Sequence, residues 1–134
     1  MNNIKPTPLW RIPPVALVAE KDTISRATLV AVLSCDGYRV FQAENLNAAI
    51  LYIGTMNDLA VLFADLSMPG WELLVQYARS MTPEVFIAAM AENDPVVKFS
   101  DLHRLGVQMC LQKPILYNEL RQPLSATIER QCAA

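Results

Sequence analysis

Short apolar runs and helix-patterned segments alternate five times along this chain, and no other feature restricts its fold so strongly. Val15-Ala16-Leu17-Val18-Ala19 is a continuous apolar run, the pattern of a strand covered on both faces. A helix follows, capped by Asp22 or Thr23, with Leu29, Val32 and Leu33 on its apolar stripe and Gly37 at its C-terminal stop. Residues 38–43 form the second strand, and residues 46–56 form a helix with Ala49, Ile50 and Ile53 on one face. The third strand, Leu59-Ala60-Val61-Leu62-Phe63-Ala64, ends in Asp65 and the breaker-rich Leu66-Ser67-Met68-Pro69-Gly70. A helix over residues 71–80 closes at Pro83. Residues 84–89 are the fourth strand. Asp94-Pro95 opens the next helix and Gly106 ends it. The fifth run, residues 107–112, leads to Lys113-Pro114, and a last helix carries Leu120, Leu124 and Ile128.

Strict alternation of this kind predicts an α/β fold: a five-stranded parallel sheet with helices on both faces. Right-handed crossovers leave few topologies, and the flavodoxin-like (βα)5 arrangement with strand order 2-1-3-4-5 fits best. In that order strands one and three are neighbours. Glu20, just past strand one, then converges with Asp65 at the switch point where open α/β sheets place ligands. Lys113 closes strand five, within reach of a long side chain.

The chain has 134 residues, which fits one domain able to bury a real core. Residues 1–13, with Pro6, Pro8 and Pro13, read as an extended arm; residues 14–131 read as the domain, with no separate output domain. A net charge of -2 and a pI of about 5.3 argue against nucleic acid as a partner, since a phosphate backbone needs a clustered basic face. No apolar run reaches membrane-spanning length and no secretory h-region is present. The three cysteines, Cys35, Cys110 and Cys132, lack C-x-x-C spacing and read as reduced thiols of a cytoplasmic protein. Cys35 and Cys110 lie in apolar contexts and read as packing residues. His103 is the only histidine, which disfavours a zinc site. Gly37, Gly54, Gly70 and Gly106 are too scattered for a phosphate-binding loop, and no nucleophile–base pair stands out, which argues against a small nucleotide-binding enzyme.

Glu20 after strand one, Asp65-Leu66-Ser67-Met68-Pro69-Gly70 after strand three and Lys113-Pro114 after strand five together resemble the receiver domain of two-component response regulators. The similarity covers nearly the whole chain. It implies that Asp65 is a carboxylate nucleophile accepting a phosphoryl group, from a sensor histidine kinase or a phosphotransfer protein. It also implies Mg²⁺ held by Glu20, Asp65 and the carbonyl of Ser67, a cation that takes six oxygens at roughly 2.0–2.1 Å and keeps several waters. Lys113 would neutralise phosphoryl charge as a mobile point cation. Pro114 would follow a cis peptide. Any enzymatic activity would be limited to phosphoryl transfer onto Asp65 and slow autodephosphorylation.

Several positions depart from the receiver pattern. Ala19 stands where the first of two acids is usual, and Asp22 is more naturally a helix cap. Ala89, or its neighbour Ala88, stands at the switch hydroxyl, and no Ser or Thr occurs between Thr82 and Ser100. Cys110 stands at the switch aromatic. Trp71-Glu72-Leu73 replaces part of a more usual glycine-containing stretch, and Trp71 either flanks the site or packs in the core. Pro123 would kink or delay the last helix.

Two functions follow. The leading one is a single-domain receiver in a phosphorelay, signalling by protein contacts. Dimerisation or docking would use the face of the fourth helix, fifth strand and fifth helix, including Lys98, Asp101, Arg104, Gln108, Glu119 and Arg121. The alternative is a phosphorylation-independent pseudo-receiver, favoured by Ala19, Ala89 and Cys110 and disfavoured by the retained Asp65 and Lys113.

Overall fold

The computed structural model describes residues 12–92, 99–115 and 120. Nine elements follow in order: β1 (Val15–Ala19), α1 (Thr23–Cys35), β2 (Arg39–Ala43), α2 (Leu46–Thr55), β3 (Leu59–Asp65), α3 (Trp71–Met81), β4 (Phe86–Ala91), α4 (Phe99–Arg104) and β5 (Met109–Gln112). The strands form one sheet in the order β2-β1-β3-β4-β5, and every pairing is parallel. The predicted topology is thus the observed one.

The burial pattern explains why the apolar runs are unbroken. Every residue of β1, β3 and β4 is buried, because each of these strands has a strand on both sides and helices on both faces. Edge strand β2 is exposed at Arg39 and Gln42. The pleat divides β1 between two cores. Val15, Leu17 and Ala19 face Ala49 and Ile53 of α2, Leu74, Val75 and Ala78 of α3, and Leu102 of α4. Ala16 and Val18 face Leu29 and Leu33 of α1 together with Leu120.

The caps follow local chemistry. Asp22, rather than Thr23, caps α1, its Oδ2 accepting from the Ser25 N–H at 2.8 Å. Asn45 caps α2 through the Ala48 N–H at 2.9 Å.

Two expectations are corrected. The fourth strand runs two residues later than the predicted 84–89. Pro83 and Glu84 lie in a turn closed by the Val85 N–H donating to Thr82 O at 3.0 Å, so the ladder starts at Phe86. It then continues to Ala91, because no breaker interrupts Ala88 to Ala91. Cys35 is exposed at the end of α1, off the Leu29–Leu33 stripe, and is not a packing residue. The opening of the fourth helix at Asp94-Pro95, the arm over residues 1–11, Pro123, and Leu124 and Ile128 of the last helix lie outside the described residues, as does Cys132.

Candidate functional site

The C-terminal ends of β1, β3 and β5 place three charged side chains at one edge of the sheet. Glu20 directly follows β1, where its backbone N–H still donates to Ala43 O of β2 at 3.0 Å. Asp65 is the last residue of β3, and Lys113 follows β5, held by its own N–H to Ala91 O at 2.7 Å. Glu20 and Asp65 are each only 1% exposed, and they are the buried charged residues among those described. Lys113 Nζ lies 2.7 Å from Glu20 Oε1 and 3.3 Å from Asp65 Oδ1. One ammonium thus bridges two buried acids, an arrangement that burial would otherwise make costly.

The loop after β3 orients the second acid. The Ser67 N–H donates to Asp65 Oδ1 at 2.9 Å, and Ser67 Oγ donates to the same oxygen at 2.7 Å. The sequence points only to the carbonyl of Ser67; its hydroxyl is a direct partner of Asp65. The loop is further fixed by the Leu66 N–H to Met90 O at 2.9 Å and the Met68 N–H to Asp65 O at 3.0 Å.

The two acids titrate in opposite directions. Burial, reinforced by the neighbouring Asp65, pushes Glu20 up to about 7 despite Lys113. Burial also opposes ionisation of Asp65, but Glu20, both donors of Ser67 and the charge of Lys113 outweigh it and hold Asp65 below the usual carboxylate range. Burial lowers the Lys113 pKa, and its two acid partners more than reverse this, so it is held above the ordinary lysine value. Of the two acids, Glu20 is the one that burial makes readier to hold a proton.

Two buried oxygens, Glu20 Oε2 and Asp65 Oδ2, have no donor directed at them. Buried acceptors left open on adjacent carboxyls are what a hard cation neutralises. Among the described residues no cluster of three His, Cys, Asp or Glu side chains exists. Magnesium requires no such cluster, since it is commonly held by one or two carboxylates and retained waters. The two open carboxylate oxygens of Glu20 and Asp65 therefore suit a hard divalent cation, with one carboxylate fewer than two acids after β1 would provide. Asp22 does not supply the missing one: it is exposed and committed to the α1 cap.

The remaining predicted positions fall as follows. The Lys113–Pro114 peptide is cis. Ala89 is buried in the sheet, paired with Ala64 and with Cys110, itself half-buried against the core. The residue paired with Asp65 is Met90, one position beyond Ala89, and it is 1% exposed. Neither side chain offers a hydroxyl. Trp71 is buried in the core with Leu74 and Ile87, which decides for packing. On the proposed contact face, Asp101, Arg104 and Gln108 are exposed, but Gln108 Oε1 is already engaged by the Ile87 N–H at 2.9 Å. Lys98, Glu119 and Arg121 lie outside the described residues. Arg26, which drew no notice in the sequence, reaches back from α1 to the Glu20 carbonyl at 2.8 Å.

No protein-family profile matches the chain. It is 30% identical over 122 residues to the KDP operon transcriptional regulatory protein KdpE of Escherichia coli K12, a match covering 87% of this chain and 52% of KdpE. The chain thus spans about half the length of that curated relative. Among solved structures, it resembles a CheY-like response regulator receiver domain protein from Methanospirillum hungatei with a TM-score of 0.79, at 16% identity, covering 89% of this chain and 96% of that one. It also resembles a response regulator from Burkholderia pseudomallei, determined with a phosphorylated aspartic acid, a calcium ion and citrate. There the TM-score is 0.76 at 20% identity, covering 90% of this chain and 71% of that one.

Proposed function

From a chain with the receiver-domain fold, we propose a receiver in two-component phosphorelay signalling, taking a phosphoryl group on Asp65 and acting through protein contacts. The observation that carries this reading is the convergence of Glu20, Asp65 and Lys113 at the C-terminal edge of the sheet, with Lys113 Nζ within 3.3 Å of Asp65 Oδ1. In the proposed step an Asp65 oxygen attacks phosphorus as the bond to the donor breaks. That bond is P–N for a phosphohistidine on a kinase or phosphotransfer protein, and P–O for an acyl phosphate. The bonding pair leaves with the donor, and Asp65 becomes an acyl phosphate.

The low pKa of Asp65 keeps the nucleophile ionised, and the two Ser67 donors fix its orientation. Lys113 follows the charge as it moves onto phosphoryl oxygens. Mg²⁺, held by Glu20, Asp65 and the Ser67 carbonyl, would neutralise charge at the same place. Glu20 must give up its proton to serve as a ligand, so cation binding strengthens as pH rises toward neutrality.

A cytoplasmic sensor histidine kinase or phosphotransfer protein is the proposed donor. Residues 14–131 are the proposed receiver unit, and the α4–β5 side the proposed contact face. No described helix is long and apolar enough to cross a membrane.

A second reading, a pseudo-receiver that docks without phosphorylation, is favoured by one observation. Met90, Ala89 and Cys110 line up beside the site and offer neither a hydroxyl nor an aromatic ring to respond to a phosphoryl group.

Intact-mass measurement with acetyl phosphate and Mg²⁺ separates the two. A single phosphoryl adduct in wild type, absent in Asp65→Asn and absent with EDTA, is expected. No adduct in wild type, together with no Mg²⁺ binding, would remove the phosphoacceptor reading and leave the docking module.

A further inference from the structure

We infer that Arg26 is a positioning residue for Glu20: it locks the β1–α1 turn that carries this acid and thereby sets the affinity of the site for a divalent cation. The inference rests on the receiver reading above and concerns a residue that reading does not use.

Glu20 lies one residue past the last paired position of β1. Its N–H still has a sheet partner, Ala43 O. Its carbonyl lies beyond the ladder, and Arg26 supplies the bond the sheet does not: Nη1 donates to Glu20 O at 2.8 Å and to Lys21 O at 3.4 Å. The guanidinium is in turn anchored by Nε donating to Gln42 Oε1 at 3.2 Å. Side chains on a helix lean toward its N-terminus, which brings a long residue in the first turn of α1 back over the preceding loop. The chain Gln42–Arg26–Glu20 thus ties β2, α1 and the end of β1 together directly behind the buried acid.

The contact matters because the site has little redundancy. Ala19 contributes no carboxylate, and Glu20 and Asp65 are the only buried acids among the described residues. A rotation about the Glu20 backbone would swing its carboxyl away from Lys113 and from Asp65. Partners behind metal ligands typically change affinity by about 10–100-fold when removed. The planar fork of arginine can serve the turn carbonyls and Gln42 at once, whereas a lysine ammonium on a different stem cannot hold all of them in one geometry.

A charge effect and a positioning effect have opposite signs here. If Arg26 acted only as a nearby positive charge, removing it would tighten cation binding. If it positions Glu20, removing it weakens binding.

The test is calorimetric titration of the full chain with MgCl₂ at constant ionic strength, for wild type, Arg26→Gln, Arg26→Lys and Gln42→Leu, with circular dichroism to establish folding. We expect Arg26→Gln to raise the Mg²⁺ Kd about 10-fold. Arg26→Lys should recover part of that loss through a single bond to Glu20 O, and Gln42→Leu, at an exposed position, should weaken binding by a smaller factor. Native-like Arg26→Gln that binds Mg²⁺ as tightly as wild type, or more tightly, overturns the inference while leaving the receiver reading intact. Should Arg26→Gln not fold, unchanged binding in both Arg26→Lys and Gln42→Leu overturns it equally. Wild type that binds no Mg²⁺ overturns both together.

Discussion

Glu20 and Asp65 are equally buried carboxyls, yet one is pushed up to about 7 and the other held below its usual range. The difference lies in their partners. Asp65 is favoured in its ionised form by Glu20, by the Ser67 N–H and hydroxyl and by Lys113, whereas Glu20 is pushed up by burial and by Asp65 and has only Lys113, at 2.7 Å, to oppose them. For Glu20 the folded state binds its proton more tightly than the unfolded state does. Its stabilising contribution is therefore complete below about pH 4.5 and is lost as pH rises through about 7. Without divalent cations, thermal melts should show stability falling over that window by an amount on the order of 2 kcal/mol. Glu20→Gln keeps the shape but cannot ionise, so it should flatten the slope; an unchanged slope in that variant would assign the titration elsewhere. Asp65 acts with the opposite sign, losing its contribution as acid protonates it below the ordinary 3.8. At this scale Glu20, Asp65 and Lys113 are legible in the sequence because strand ends are marked by where apolar runs stop. The Ser67 hydroxyl is not legible, because its role depends on a loop folding back two residues. Arg26 is marked only by its place in the first turn of the helix that follows a site-bearing loop.

The elements were legible where punctuation is strong and misplaced where it is weak. Asp22 announces α1, and the breaker-rich stretch ending at Gly70 marks the entry to α3. The four residues Ala88-Ala89-Met90-Ala91 carry no such mark, so the end of β4, two residues beyond the predicted 89, is not legible, and neither is the pairing of Met90 with Asp65. Gly70 makes a sharp prediction about how α2 and α3 fit together. Its φ is +86°, and a Cβ there would run into Leu46 Cδ2 at the start of α2. Gly37 has a similar φ of +92°, but nothing lies within 4 Å of the same added atom. Both alanine variants bear the left-handed backbone penalty of roughly 1–2 kcal/mol. Only Gly70→Ala must also displace a packed leucine, bringing its expected cost to about 3 kcal/mol by urea denaturation. Equal losses in the two variants would mean that Leu46 moves aside freely. Because Gly70 also ends the loop that carries Ser67, its replacement should weaken Mg²⁺ binding, whereas Gly37→Ala should leave it unchanged.

Across the whole molecule the parallel sheet separates two tasks. All its strands point the same way, so chemistry gathers at the C-terminal edge and the opposite edge is free to be built for stability. Arg79 of α3 occupies that opposite edge. Its Nη1 donates to Pro83 O at 2.8 Å and Val85 O at 2.7 Å, and its Nη2 donates to Gly106 O at 2.6 Å and Gln108 Oε1 at 3.2 Å. Gln108 Oε1 also takes the Ile87 N–H, so a single guanidinium joins the end of α3, the start of β4 and the turn before β5. Arg79→Ala removes the donor from the part-buried carbonyls of Val85 and Gly106 and should cost roughly 2 kcal/mol. From Val85 O, which the clamp holds, to Met90, the ladder partner of Asp65, is five residues of strand, about 17 Å at the usual rise per residue. Sites that far apart with no shared partner contribute independently. Arg79→Ala should therefore lower the urea midpoint while leaving the Mg²⁺ Kd and the yield of phosphoryl adduct as in wild type. Glu20→Gln should do the reverse near neutral pH, weakening the cation site without destabilising the fold. If Arg79→Ala instead changed Mg²⁺ affinity while still folded, the two edges would be mechanically linked through β4 and β5. The Asp65–Met90 ladder pair and the Leu66–Met90 and Lys113–Ala91 backbone bonds, which join β4 to Asp65 and Lys113, would then be one route.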